Sequence, residues 1–145
     1  MRFCTVHTHS VLCDGKNTLE EMARAAFDAG AVSFGASGHS CTPIPWDQGN
    51  VLTEDTAAYQ AEVLRLRQEY QGRMEVLLGM EQDSQSPQPV PDWAEYWIGS
   101  VHNLYDPQTG HYHCVDWGAE KLEACRQEMF GGDTMATVSY KHLTL

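Results

Sequence analysis

Strand-like and helix-like segments alternate along this chain, and that alternation confines it to an α/β fold built on parallel strands. Met74-Glu75-Val76-Leu77-Leu78-Gly79 is a nearly continuous apolar run, as expected of a strand covered on both faces. Arg2–Val6, Ala31–Ala36 and Tyr96–Val101 read as the other strands. Between the first two, Asn17 or Thr18 caps a helix, and Thr18-Leu19-Glu20-Glu21 has the capping-box spacing. Leu19, Met22, Ala23, Ala26 and Phe27 form its apolar stripe, and Gly30 supplies the stop. A second helix is expected from Thr53, with Tyr59, Val63, Leu66 and Tyr70 on one stripe and Gly72 at its end. A last helix spans Ala119–Phe130, where Leu122, Cys125 and Met129 recur at helical spacing.

Each strand leads into a residue able to bind a cation. His7 and His9 are two apart, so in extended backbone both imidazoles point to one side. His39 follows Ser37-Gly38, a glycine-rich turn after the second strand; Glu81 lies just beyond the third; His102 follows the fourth. Strands followed by helices place functional groups at their carboxyl ends. Imidazole and carboxylate ligands there suit a divalent metal such as Zn, Mn or Fe. The pattern therefore predicts a metal centre on a β/α barrel. No Gly-x-Ser-x-Gly elbow and no Walker-type loop offers another nucleophile or phosphate cradle.

Several pieces together resemble the PHP (polymerase and histidinol phosphatase) superfamily, and within it the monofunctional histidinol-phosphatases. They are His7-Thr8-His9-Ser10 with Cys13-Asp14-Gly15, the helix start Thr18–Glu21, and Gly35-Ala36-Ser37-Gly38-His39-Ser40. Leu78-Gly79-Met80-Glu81-Gln82-Asp83 and Tyr96-Trp97-Ile98-Gly99-Ser100-Val101-His102 complete the set, and the resemblance runs to about residue 136. It implies the N-terminal portion of a distorted (β/α)7 barrel with a cluster of up to three ions, cleaving L-histidinol phosphate in cytoplasmic histidine biosynthesis; the alternatives are a PHP-type phosphoesterase with a different substrate and an inactive metal-binding fragment. By position, His7 and His9 would bind one metal, Glu81 would bridge it to a second held by His102, and His39 with Asp14 would hold the third. Water activated by the cations is then the nucleophile, with no catalytic side chain, and the metal charge offsets the phosphoryl oxygens. One departure is Gly38, where many relatives carry an acidic residue; its loss removes a carboxylate that could tune a neighbouring ligand.

The resemblance also marks what is not here. A β/α barrel takes on the order of 200–250 residues, and this chain has 145. The family's further metal-binding histidine, its phosphate-binding arginines and a late Asp-x-His have no counterpart. Residues 1–137 are thus expected to be an incomplete PHP domain, and 138–145 a tail foreign to the family, whose His142 is excluded from any site. The segment Ser84–Pro91, rich in Pro and Gln, is expected to form part of the rim over the site.

A formal net charge of −11 argues against nucleic acid and anionic membranes as general partners; it does not identify a substrate, and the small phosphate ester is what the resemblance implies. Cysteines at 4, 13, 41, 114 and 125, odd in number and without Cys-x-x-Cys, fit a reduced compartment. No apolar run could span a bilayer and no signal segment opens the chain. Cys13 and Cys41 are expected as small residues near the site; Trp46, Trp93 and Trp97 as packing; and Asp83, His111 and His113 as surface groups.

Overall fold

The computed structural model describes residues 2–48, 51–52 and 56–143, with side chains to 138. The elements in chain order are β1 (Phe3–Thr5), α1 (Leu19–Asp28), β2 (Ala31–His39), α2 (Ala57–Glu69), β3 (Glu75–Asp83), β4 (Tyr96–Ser100), β5 (Asn103–Asp106), β6 (His111–Cys114), α3 (Ala119–Phe130) and α4 (Thr134–Leu143). They fall into two compact units, residues 1–82 with 86–98, and residues 83–85 with 99–145.

The first unit holds the parallel pairs β1–β2 and β2–β3, and β4 follows β3 in the sheet order. Helix α1 begins as its sequence dictates. Thr18 accepts from the Glu21 amide while the Glu21 carboxylate accepts from the Thr18 amide, satisfying two donors that a helix start leaves open. Leu19, Ala23 and Ala26 are buried, with Met22 and Phe27 packed at the edge of the same core. Gly30 takes the positive φ expected of a helix stop, 91°. The expected start of α2 at Thr53 lies outside the described residues, but its stripe is as read: Tyr59, Val63, Leu66 and Tyr70 are all buried. These residues meet Phe34, Ala36, Val76, Leu78 and Met80 from the sheet. Full burial of a larger aliphatic or phenylalanine side chain in this core, such as Leu66, Val76 or Phe34, contributes roughly 1.5–3 kcal/mol.

Two strands are longer than the apolar pattern suggests. β2 continues through Ser37-Gly38-His39 and β3 through Met80-Glu81-Gln82-Asp83, so the expected glycine-rich turn before His39 is strand. The reason is mutual: each extension completes the other's ladder, pairing Ser37 with Gly79, Gly38 with Met80, and His39 with Glu81.

The second unit contains the antiparallel hairpin β5–β6 and the helices α3 and α4. Its core is Val101, Leu104, Val115 and Cys125, with Met129 and Phe130 packed against it. Leu122, expected on this stripe, is exposed instead. Among the described residues no helix is long and apolar enough to cross a membrane.

Candidate metal centre

The first unit gathers five of the residues singled out in the sequence. His7 and His9 lie beyond the end of β1, and Thr8 between them carries the attachment. Its amide donates to Ser37 Oγ at 2.9 Å, and its carbonyl accepts from the Ser37 amide at 3.0 Å. Thr8 is buried against β2, which leaves its two neighbours to project on the other side. His39 and Glu81 come from facing positions of β2 and β3. Behind them the Tyr59 hydroxyl accepts from the Gly38 amide at 3.2 Å and donates to the Gly79 carbonyl at 2.9 Å. That bridge fixes the two strand ends relative to each other, and burial pushes the Tyr59 phenol well up.

Asp14 arrives by a tight turn. The amides of Cys13 and Gly15 both donate to the Ser10 carbonyl at 2.9 Å. A Cβ on Gly15 would lie 2.4 Å from the Ser10 nitrogen and 2.6 Å from the His9 carbonyl carbon, so only glycine permits this approach. The turn folds Asp14 back onto the His-x-His segment.

All three imidazoles converge on one oxygen. Glu81 Oε2 is 2.8 Å from His7 Nε2, 3.1 Å from His9 Nε2 and 3.6 Å from His39 Nδ1. On the far side, Asp14 lies 3.2 Å from His9 Nδ1 and 3.4 Å from His39 Nε2. The Glu81 side chain is only 4% exposed, so water does little to solvate its charge. Ring nitrogens and a buried carboxylate so close together require positive charge among them, as ring protons or as a bound cation. Among the described residues of this unit, two overlapping groups have the geometry to hold an ion, His7–His9–Glu81 and His9–Asp14–His39, with ligand atoms within 4.8 Å of one another. Such nitrogen and oxygen sets suit Zn, Mn or Fe.

The local field is visible in two titrating groups. His9 is pushed up to about 10, chiefly by its hydrogen bond with Cys13, then by Glu81 and Asp14, with burial acting the other way. Burial pushes the Cys13 thiol up, but His9 and the backbone around Ser10, His39 and Asp14 outweigh it and hold the thiol below its ordinary range. Cys13 Sγ sits 3.7 Å from His9 Nδ1, so this cysteine touches the site as well as filling space.

Tyr96 packs across the same sheet face. Its hydroxyl lies 2.7 Å from the Val6 carbonyl and 3.0 Å from that of Ala36, close enough to donate to either. Room for its ring exists because residues 35 and 79 are glycines: a Cβ on Gly79 would stand 2.2 Å from Tyr96 Cζ. Gly38 faces the other way. A side chain there would meet Leu52 at 2.9 Å, so an acidic residue at this position would enter the apolar core rather than support His39.

From the segment expected as a rim over the site, Ser86, Gln88, Pro89 and Pro91 line a cavity of about 370 Å³ with Ser40, Cys41, Met80 and Gln82, and its lining includes none of the candidate ligands. A neighbouring cavity of about 530 Å³ includes Cys13, Cys41, Thr42, Gln48 and Gln88.

In the second unit, His102 Nδ1 is 2.8 Å from Asp83 Oδ2, and His102 Nε2 is 3.7 Å from Asp116 Oδ2. Asp83 is not the surface group expected: it is 3% exposed, because β3 runs on to include it. The signal available in the sequence was its period-two spacing from Glu81. His113 is likewise not on the surface. The hairpin carries it to α3, where its Nδ1 lies 3.3 Å from Glu128 Oε2, whereas His111 is exposed as expected. Of the tryptophans, Trp93 packs on the core, but Trp46 and Trp97 are exposed. All five cysteines are free thiols.

No family model matches the chain. Among curated proteins it is similar to one named "Probable histidinol-phosphatase" from Deinococcus radiodurans, with 34% identity over 114 residues covering 70% of this chain. Among solved structures it is similar to one described as "the putative histidinol phosphatase hisK from Listeria monocytogenes", at a TM-score of 0.68 and 14% identity over 99% of this chain. The chain spans 42% of the length of the first and 58% of the second. The fold is that of the N-terminal part of this second protein.

Proposed function

We propose, on the premise that the chain belongs to the histidinol-phosphatase branch of the PHP family, that it supplies the metal-binding part of a phosphomonoesterase. The substrate proposed for the whole protein is L-histidinol phosphate. The observation that carries this reading is the convergence of His7, His9 and His39 on the single buried oxygen of Glu81.

In this reading His7, His9, Asp14, His39, Glu81 and His102 hold up to three divalent ions. Those ions, when bound, lower the pKa of water and offset charge on the phosphoryl oxygens. The chain's own residues set the geometry. Thr8 and Ser37 hold the His-x-His segment against β2, the Tyr59 hydroxyl locks the ends of β2 and β3, and Gly15 lets Asp14 close over His9. The cavities beside Cys13 and Cys41 offer uncharged polar groups such as Thr42, Gln48 and Gln88 to the organic part of the ester. Residues 1–137 form the PHP portion in this proposal, with 138–145 outside it.

The test is phosphate release with and without Zn or Mn on L-histidinol phosphate, nucleotides and sugar phosphates, alongside metal content. Metal-dependent release fastest from L-histidinol phosphate is expected. Faster release from another ester would assign a different substrate within the family, and failure to take up any divalent ion would overturn the reading.

A further inference from the structure

Asp83 has a buried carboxylate with no part in the ligand set described above. It closes β3, two residues beyond Glu81, and its side chain is 2% exposed. Both of its oxygens are engaged. Oδ1 accepts from the Gln85 amide at 2.6 Å, while Oδ2 lies 2.8 Å from His102 Nδ1 and 3.4 Å from the His102 amide. The segments bearing the two residues are tied together as well, the Ser84 amide donating to the Ser100 carbonyl at 2.9 Å. The carboxylate is thus anchored before it meets the ring.

A neutral imidazole carries one proton, and the partner of one nitrogen decides which nitrogen keeps it. Among the contacts described for His102, two carboxylates of this unit approach its ring. Asp83 stands at 2.8 Å from Nδ1, within hydrogen-bond distance, whereas Asp116 stands at 3.7 Å from Nε2, outside it. Asp116 is also drawn elsewhere, since its Oδ1 accepts from the Cys114 thiol at 3.3 Å.

We propose that Asp83 is a positioning residue, which takes the Nδ1–H of His102 in a buried hydrogen bond and so makes Nε2 the nitrogen that binds a cation. A ring held this way is fixed in orientation and made more basic at its ligating nitrogen, and loss of such support typically costs 10–100-fold in metal affinity. The part that concerns the tautomer stands on the geometry of this unit; the part that concerns the cation rests on His102 being a ligand.

Long-range ¹H–¹⁵N spectra of the full chain, at a pH where the ring is neutral, read the tautomer directly, and competition with a chelator gives the Zn affinity. The parent chain should show His102 protonated on Nδ1. In Asp83→Asn the amide can donate to Nδ1, so the proton should move to Nε2 and Zn affinity should fall by about 10–100-fold. Protonation on Nε2 in the parent chain overturns the proposal whether or not the variant folds, as does an unchanged tautomer in a folded Asp83→Asn chain. His102→Ala separates the two readings. If it leaves Zn affinity unchanged while Asp83→Asn still moves the proton, the ligand assignment fails and the positioning of the ring stands.

Discussion

Substituting Gly79 by alanine tests whether the site face of the sheet is built around one tyrosine. The added Cβ would stand 2.2 Å from Tyr96 Cζ and 2.3 Å from Cε1, far inside contact distance. The ring must move, and it is not free to do so at no cost, because its hydroxyl lies 2.7 Å from the Val6 carbonyl and 3.0 Å from that of Ala36. Overpacking of this kind costs about 1–3 kcal/mol, and displacing the hydroxyl adds about 1 kcal/mol. For a chain of this size each kcal/mol moves the melting temperature by roughly 2–4 °C, so a fall on the order of 5–15 °C is expected. Thermal unfolding followed by circular dichroism measures it. The cost should largely vanish on a Tyr96→Ala background, since contacting residues couple. A Gly79→Ala chain melting with the parent, or an undiminished penalty in the double variant, refutes the argument. Val6 directly precedes His7, so Zn affinity should fall in Gly79→Ala as well.

Other expectations follow from single contacts. His9→Ala and Glu81→Ala should each lose bound divalent metal measured by elemental analysis, because both groups belong to the shared cluster; full occupancy in both variants would remove its basis. Leu66→Ala, at a fully buried position of α2, should cost about 2–5 kcal/mol in chemical denaturation. Thr18→Ala should cost about 1 kcal/mol by loss of the cap. The carboxyl of Glu21 is held below its usual range, first by the Thr18 backbone amide and then by its hydroxyl. A depressed folded-state pKa means its contribution is present above the unfolded value and is lost as pH falls through the folded one. The penalty of Thr18→Ala should therefore shrink in acid, and an equal penalty in acid and at neutrality would contradict the reciprocal box.

Local rules reached far into this molecule. The box at Thr18 and Glu21, the buried stripe Tyr59–Val63–Leu66–Tyr70 and the bounds of α3 depend on spacing along the chain, which the sequence states outright. The gathering of His7, His9, His39 and Glu81 was legible for a related reason: strands followed by helices bring their ends together, so position along each strand stands in for position in space; Asp14, on a turn, was named only by the family resemblance. What spacing could not convey is which strand ends extend one another. Ser37-Gly38-His39 and Met80-Glu81 lack strand-like composition, and they are strand because each pairs with the other. The same extension buries Asp83 beside His102, just as the hairpin brings His113 to Glu128. A charged or polar side chain looks alike in sequence whether water or a partner satisfies it. Only the tertiary structure, by supplying a partner at hydrogen-bond distance, decides that it can be buried.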